Sequence, residues 1–160
     1  MSKTLGIIPA RKGSKGLPNK NIKLINNKPL INWTIDQANK SNLLDKCIVS
    51  TDSEEIAKIA RKAGGEVPFL RPPHLSNDTA TSISVVEHAL KYLQEECSEC
   101  FDNIILLEPT SPIRMDYDID NMIEKLYINY EKHDAVVSIG DVKTHPAYIK
   151  KIDKNGILMS

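Results

Sequence analysis

Ile7-Ile8-Pro9-Ala10-Arg11-Lys12-Gly13-Ser14-Lys15-Gly16-Leu17-Pro18-Asn19-Lys20-Asn21 is the stretch on which the reading of this chain turns. It opens as a short apolar run of the kind that forms a buried strand, and Pro9 stops it. The residues after Ala10 cannot form a core element. Arg11, Lys12, Lys15 and Lys20 crowd one loop with no carboxylate among them. Gly13 and Gly16 allow backbone angles that turn successive N–H groups toward one point, a geometry that binds anions. Arginine adds a fork that grips two oxygens at once. The loop is not a Walker A motif, because Pro18 stands where the second glycine is required, and it lacks the first glycine pair of the dinucleotide fingerprint. The residues alone leave two readings, a solvated basic loop and a triphosphate site.

Outward from the loop, the chain alternates between two periods. Asn26-Asn27 marks a turn, and Pro29 suits the first turn of a helix carrying Ile31, Ile35 and Ala38, with Trp33 expected in the core beside them. Cys47-Ile48-Val49 reads as a compact strand within Lys46 to Thr51. Asp52 or Ser53 then caps a helix bearing Ile56, Ala57, Ile59, Ala60 and Ala63, ended by Gly64-Gly65. Glu66 to Leu70 reads as a strand. The next helix carries Ile83, Val86, Leu90 and Leu93 on one face. Ile104-Ile105-Leu106-Leu107 is apolar throughout, as expected in the middle of a parallel sheet. Ile119, Met122, Ile123 and Leu126 mark another helix, and Ala135 to Ile139 a last core strand.

This alternation predicts an α/β fold, a doubly wound, mostly parallel sheet with right-handed crossovers. Ligands of such sheets sit at the carboxyl ends of the strands. The polar clusters fall there: Arg11 to Asn21, Thr51-Asp52, Arg71, and Glu108 to Arg114. Convergence of these four segments favours the nucleotide reading of the loop.

The chain has 160 residues, enough for one domain that buries roughly 70% of the surface its unfolded form exposes. Its 21 basic and 21 acidic residues cancel, which argues against a nucleic-acid partner and for a small anionic ligand at the basic N-terminal loop. Cys97 and Cys100 form a C-x-x-C that comes after a helix instead of opening one. No second Cys or His pair completes a zinc site, so they read as a solvent-side turn. No signal-peptide pattern or long apolar span is found, and the expectation is a soluble cytoplasmic chain with no membrane partner.

Ile8-Pro9-Ala10-Arg11-x-Gly13-Ser14-Lys15-Gly16-Leu17-Pro18-x-Lys20-Asn21 resembles the N-terminal signature of the acylneuraminate cytidylyltransferases, the CMP-sialic acid synthetases. Ser50-Thr51-Asp52, Leu70-Arg71-Pro72, Asp78 to Ser82 and Pro109-Thr110-Ser111-Pro112-x-Arg114 continue the resemblance in the family's order. It implies a nucleotide-diphospho-sugar transferase-like fold. The implied reaction transfers CMP from CTP to the anomeric hydroxyl of a nonulosonic acid, with release of pyrophosphate. Such chemistry depends mainly on positioning and on neutralising developing charge.

By the same resemblance, Ala10, Arg11, Ser14, Lys15, Lys20, Asn21, Arg71 and Ser82 would bind the nucleotide. Lys20, Arg11 and Asn21 would serve catalysis, and Arg71 with Ser82 would read the cytosine edge. Read from the residues alone, Arg71 is a cap on neighbouring carbonyls, Ser82 a first-turn hydroxyl and Asp52 a helix cap. Glu108, Thr110 and Ser111 would face the sugar. The resemblance also implies Mg²⁺, with ligands expected outside this chain, so no residue here is assigned to a metal.

Two positions depart from the sialate pattern. Glu108 replaces the usual glutamine, and Tyr148 occupies a position where a lysine is typical. Sialic, legionaminic, pseudaminic and related acids therefore stay open as acceptors, and a ketodeoxyoctulosonate-type enzyme or a catalytically incomplete CTP-binding fragment are the alternatives. Residues 1–140 are expected to form the nucleotide domain. From 141 to 160 the chain reads as the start of a dimerisation arm, with a turn at Asn155-Gly156, and the chain looks truncated relative to the family. A homodimer or a higher homo-oligomer is the expected assembly.

Overall fold

The computed structural model describes residues 2–13, 16–140, 151–152 and 158–159. In chain order the elements are β1 (Thr4–Pro9), β2 (Leu24–Ile25), β3 (Lys28–Pro29), α1 (Leu30–Lys40), β4 (Lys46–Ser50), α2 (Glu54–Lys62), α3 (Ser82–Cys97), β5 (Asn103–Leu106), α4 (Asp118–Ile128), β6 (Lys151–Ile152) and β7 (Leu158–Met159). Short 3₁₀ turns occupy Lys20–Ile22 and Pro73–Leu75.

The sheet is parallel, in the order β4-β1-β5. Leu5 pairs with Lys46 on one side and with Ile104 on the other. Because strand side chains alternate between faces, β1 feeds two cores. Leu5 and Ile7, with Ile48, meet Ala89 and Leu93 of α3. Ile8 and Ala10, with Val49, meet α1, α2 and α4 through Ile31, Ile35, Ile56, Ala57, Ala60, Ile119 and Ile123. Helices therefore cover both faces, which is the α/β architecture expected. Burying one side chain such as Ile7 stabilises the fold by roughly 1.5–3 kcal/mol.

Local signals place the elements. Asn26 and Asn27 both take positive φ, 51° and 62°, so the β2–β3 turn is the primed type that suits a hairpin. Ser53 caps α2, its Oγ accepting from the Ile56 amide at 3.4 Å. Gly64, at φ 82°, ends that helix in a conformation other residues avoid. Thr81 caps α3 by accepting the Ser84 amide at 3.1 Å.

Several expectations need correction. Glu66 to Leu70 is not a ladder strand: it touches the sheet through single parallel bridges, Ile48 to Glu66 and Thr51 to Leu70. Pro68 lies between them and has no N–H to donate. Ala135 to Ile139 forms no strand, and Val137 and Ile139 are 77% and 94% exposed. Without that strand, β5 ends the described sheet instead of lying in its middle, and Ile104 and Leu106 stay partly exposed. On α3 the buried stripe is Val85, Ala89 and Leu93, while Ile83 faces solvent. Trp33 is half-buried with Lys28 Nζ 4.5 Å above its ring, so it flanks the core without entering it.

Cys97 ends α3 and Cys100 lies just beyond; both are exposed free thiols. β6 and β7 pair antiparallel, Lys151 with Met159 and Ile152 with Leu158. The intervening Asn155-Gly156 turn, the segment 141–150 with Tyr148, and loop residues Ser14 and Lys15 lie outside the described residues. No described helix is long and apolar enough to cross a membrane.

Candidate active site

β1, β4 and β5 run parallel, so their carboxyl ends share one edge of the sheet. The segments leaving that edge enclose a cleft of about 560 Å³. Pro9 and Arg11 enter it from β1, Glu108, Pro109 and Thr110 from β5, and Ser82 and Val85 from α3. Lys20, Asn21 and Arg71 complete the polar lining. Of the residues singled out in the sequence, Arg11, Lys20, Asn21, Arg71, Ser82, Glu108 and Thr110 therefore share one cavity. The Ala10 side chain instead lies fully buried in the core behind the cleft, its amide donating to Ser50 O at 2.9 Å. Ser111 lines a neighbouring cavity between β5 and α4.

Three cations reach the cleft, and each is held differently. The Nη1 of Arg11 donates to Asn77 O at 2.9 Å and lies 3.0 Å from Asp78 Oδ1. Its Nε and Nη2 edge makes no bond to a described residue. Lys20 is half-buried and has no carboxylate partner among the described residues.

Arg71 is only 5% exposed. Its Nε donates to Ser50 Oγ at 3.1 Å, its Nη2 to Ser50 O, and its Nη1 to Leu75 O at 3.4 Å. Burial lowers its pKa from the ordinary value; Asp52 opposes this, Arg11 adds to it and Glu108 opposes it. The carbonyl cap read from the sequence is thus present. Three of its N–H groups are engaged, and the guanidinium still lines the cleft.

Asn21 is equally buried, and its Nδ2 donates to Arg11 O at 3.0 Å. Asp52, expected to cap α2, leaves that role to Ser53 and accepts the Lys12 amide on Oδ1 at 2.8 Å. Ser82 is exposed in the first turn of α3. Arg114 secures the proline-rich loop, donating from Nη2 to Glu108 O at 3.0 Å and from Nη1 to Thr34 Oγ1 at 3.2 Å.

Asn77 and Asp78 were not among the expected site residues, yet they line the cleft and hold Arg11. Asn77 Oδ1 accepts from the amides of Thr79 and Ala80 at 3.0 and 2.9 Å. This is an Asx turn, and Asn-Asp-Thr is a sequence signal that could have located it.

A family model described as cytidylyltransferase matches residues 5–156, nearly the whole chain. The chain belongs to the cytidylyltransferase family. Among curated relatives, this cytidylyltransferase chain is 39% identical to the CMP-N,N'-diacetyllegionaminic acid synthase of Legionella pneumophila, over 97% of its own length and 65% of the relative's. It is 40% identical to the N-acylneuraminate cytidylyltransferase of Escherichia coli, covering 95% of the chain and 35% of the relative. It is 39% identical to a pseudaminic acid cytidylyltransferase of Campylobacter jejuni, covering 81% and 56%. The chain therefore spans less than two thirds of the length of these relatives.

Solved structures agree on the fold. A CMP:2-keto-3-deoxy-manno-octonic acid synthetase complexed with CTP superposes with a TM-score of 0.67 at 22% identity, over 81% of this chain and 49% of that one. A 4-diphosphocytidyl-2C-methyl-D-erythritol synthase from Anaerococcus prevotii gives 0.64 at 18% identity, covering 98% and 63%.

Proposed function

We propose that this cytidylyltransferase chain binds CTP in the cleft and serves transfer of its CMP group to the anomeric hydroxyl of a nonulosonic acid. The hydroxyl oxygen bonds to the α-phosphorus, its proton is lost, and the bond from that phosphorus to the pyrophosphate oxygen breaks. The observation that carries this reading is the gathering of Arg11, Lys20 and Arg71 in one cleft, Lys20 being half-buried and without a carboxylate partner among the described residues. An anion of several charges suits such a site. The names of the curated relatives supply the acceptor class, an acidic nine-carbon sugar.

In this reading Arg11 and Lys20, with Ser14 and Lys15 of the same loop, hold the triphosphate, and Lys20 neutralises the departing pyrophosphate. Asn21 serves the reacting centre in the same reading, and its burial in the cleft wall with a bond to Arg11 O supports this. Arg71 uses the donors not spent on Ser50 and Leu75, together with the Ser82 hydroxyl, to read cytosine. Glu108 and Thr110 face the sugar, with Ser111 behind them.

Mg²⁺ belongs to the proposal as a companion of the triphosphate. Among the described residues, however, no group of three His, Cys, Asp or Glu side chains is arranged to hold a metal ion. Near the loop, Asp52 and Asp78 are engaged with Lys12 and Arg11. A cytoplasmic homodimer, or higher homo-oligomer, joined by the segment from residue 141 onward completes the proposal.

Pyrophosphate release measured with CTP, Mg²⁺ and a panel of acid sugars tests the reading. Release that requires both CTP and a nonulosonic acid is expected. Equal release with UTP, or with a neutral sugar, contradicts it.

A further inference from the structure

The peptide unit joining Arg11 to Lys12 is held on both of its polar groups. Its carbonyl, Arg11 O, accepts from Asn21 Nδ2 at 3.0 Å, and its amide, Lys12 N, donates to Asp52 Oδ1 at 2.8 Å. One bond comes from the 3₁₀ turn after the loop and the other from the segment just past β4. Immediately before this unit, Ala10 N donates to Ser50 O. The chain is thus fixed at the last point before the Gly13 to Gly16 segment begins.

We infer that Asp52 is a positioning residue that, with Asn21, clamps the Arg11–Lys12 peptide and so sets the shape of the phosphate loop. The inference rests on the reading of that loop as a triphosphate site. A peptide plane gripped at both ends cannot rotate, and the direction in which the next amides point depends on that rotation. The clamp also spends the Lys12 amide on Asp52. An unliganded loop of this composition would otherwise sample many conformations and give up binding free energy when ordered.

Helix capping does not explain Asp52, because Ser53 supplies the cap. Charge alone is a weak explanation too. A carboxylate beside a polyphosphate site repels the ligand, so its presence needs a compensating role such as the bond to Lys12.

The test uses the 160-residue chain with inorganic triphosphate, CTP and cytidine as probes, in wild type, Asp52→Ala and Asp52→Asn. Asparagine keeps an acceptor oxygen for Lys12 N, whereas alanine removes it. Asp52→Ala is expected to weaken triphosphate and CTP by about tenfold or more, as loss of one hydrogen bond from a charged group implies. Cytidine binding is expected to stay unchanged, and Asp52→Asn to stay within about threefold of wild type. Amide hydrogen exchange on the wild type adds a readout that needs no variant: the Lys12 amide is expected to be protected with and without triphosphate.

Several results would overturn the clamp. These are wild-type affinity in Asp52→Ala, equal losses in the alanine and asparagine variants, an equal loss for cytidine, or a fast-exchanging Lys12 amide. A wild-type chain that binds no triphosphate overturns the loop reading itself and the clamp with it, whereas the other outcomes leave that reading standing.

Discussion

Arg71 and Ser50 are joined twice, through Nε to the hydroxyl and through Nη2 to the main-chain carbonyl. The pair ties the segment after the Glu66–Leu70 stretch to the end of β4, beside the cleft that Arg71 lines. Replacing Arg71 by methionine keeps much of the side-chain volume but takes the guanidinium donor from the buried Ser50 hydroxyl and one of two donors from Ser50 O, the Ala10 amide remaining. The expected cost is about 1.5–3 kcal/mol, read as a lower urea midpoint. Ser50→Ala keeps the carbonyl bond and should cost about half as much, nearer 1 kcal/mol. Equal losses in the two variants would mean that the carbonyl bond is not the important one.

The basic loop makes a separate prediction. Lys20→Ala and Arg11→Ala should each weaken CTP more than CMP, because their charges face the outer phosphates in the proposed binding mode. A lost charge-assisted contact corresponds to about 1.5–3 kcal/mol, measurable by calorimetric titration. Equal losses for CMP and CTP would place these side chains on the wrong part of the nucleotide.

Cys47 supplies a pH prediction. Its Sγ packs against Gly6, where an added Cβ would come within 2.9 Å of it. Burial pushes this thiol up to about 12, and the nearby Glu66 carboxylate adds to the effect. Since the thiolate is the reacting form, Cys47 should resist an alkylating reagent at pH 8 while exposed Cys97 and Cys100 react. Mass spectrometry before and after unfolding checks this, and labelling of Cys47 as fast as the other two contradicts it.

Asp120 supplies another. Burial acts to raise its pKa, but bonds from Ser41 Oγ, the amides of Asn42 and Leu43, and the Asn42 side chain outweigh it, and the net shift is downward. A carboxyl depressed by folding stabilises the protein above its unfolded pKa of about 3.9, and the contribution fades as pH falls through the folded value. The stability gap between wild type and Asp120→Ala should therefore be full at pH 7 and shrink below about pH 4. A gap that does not change down to pH 3 would show that Asp120 acts through packing alone.

Much of this was legible before the structure. Short apolar runs located β1, β4 and β5, helical spacing located the four helices, and the polar segments after the strands located the cleft. Single-residue geometry was harder to see. Pro68 turned one expected strand into two isolated bridges. Ala135 to Ile139 has strand composition, yet composition does not provide hydrogen bonds, and β5 is the last strand of the described sheet. At the site, the cations were visible in sequence, but their holders were not. Asp78 and Asp52 act across long stretches of chain on Arg11 and Lys12, and spacing carries no record of such contacts.

The most direct measurement is a calorimetric titration of the 160-residue chain with CTP, UTP, ATP and GTP in the presence of Mg²⁺. If Arg71 and Ser82 read the base while Arg11 and Lys20 hold the phosphates, CTP binds at least about tenfold more tightly than the other three, since an unmatched polar base edge leaves buried donors without partners. Equal affinities for all four nucleotides, or no binding of CTP, would contradict the cytosine reading of this cleft.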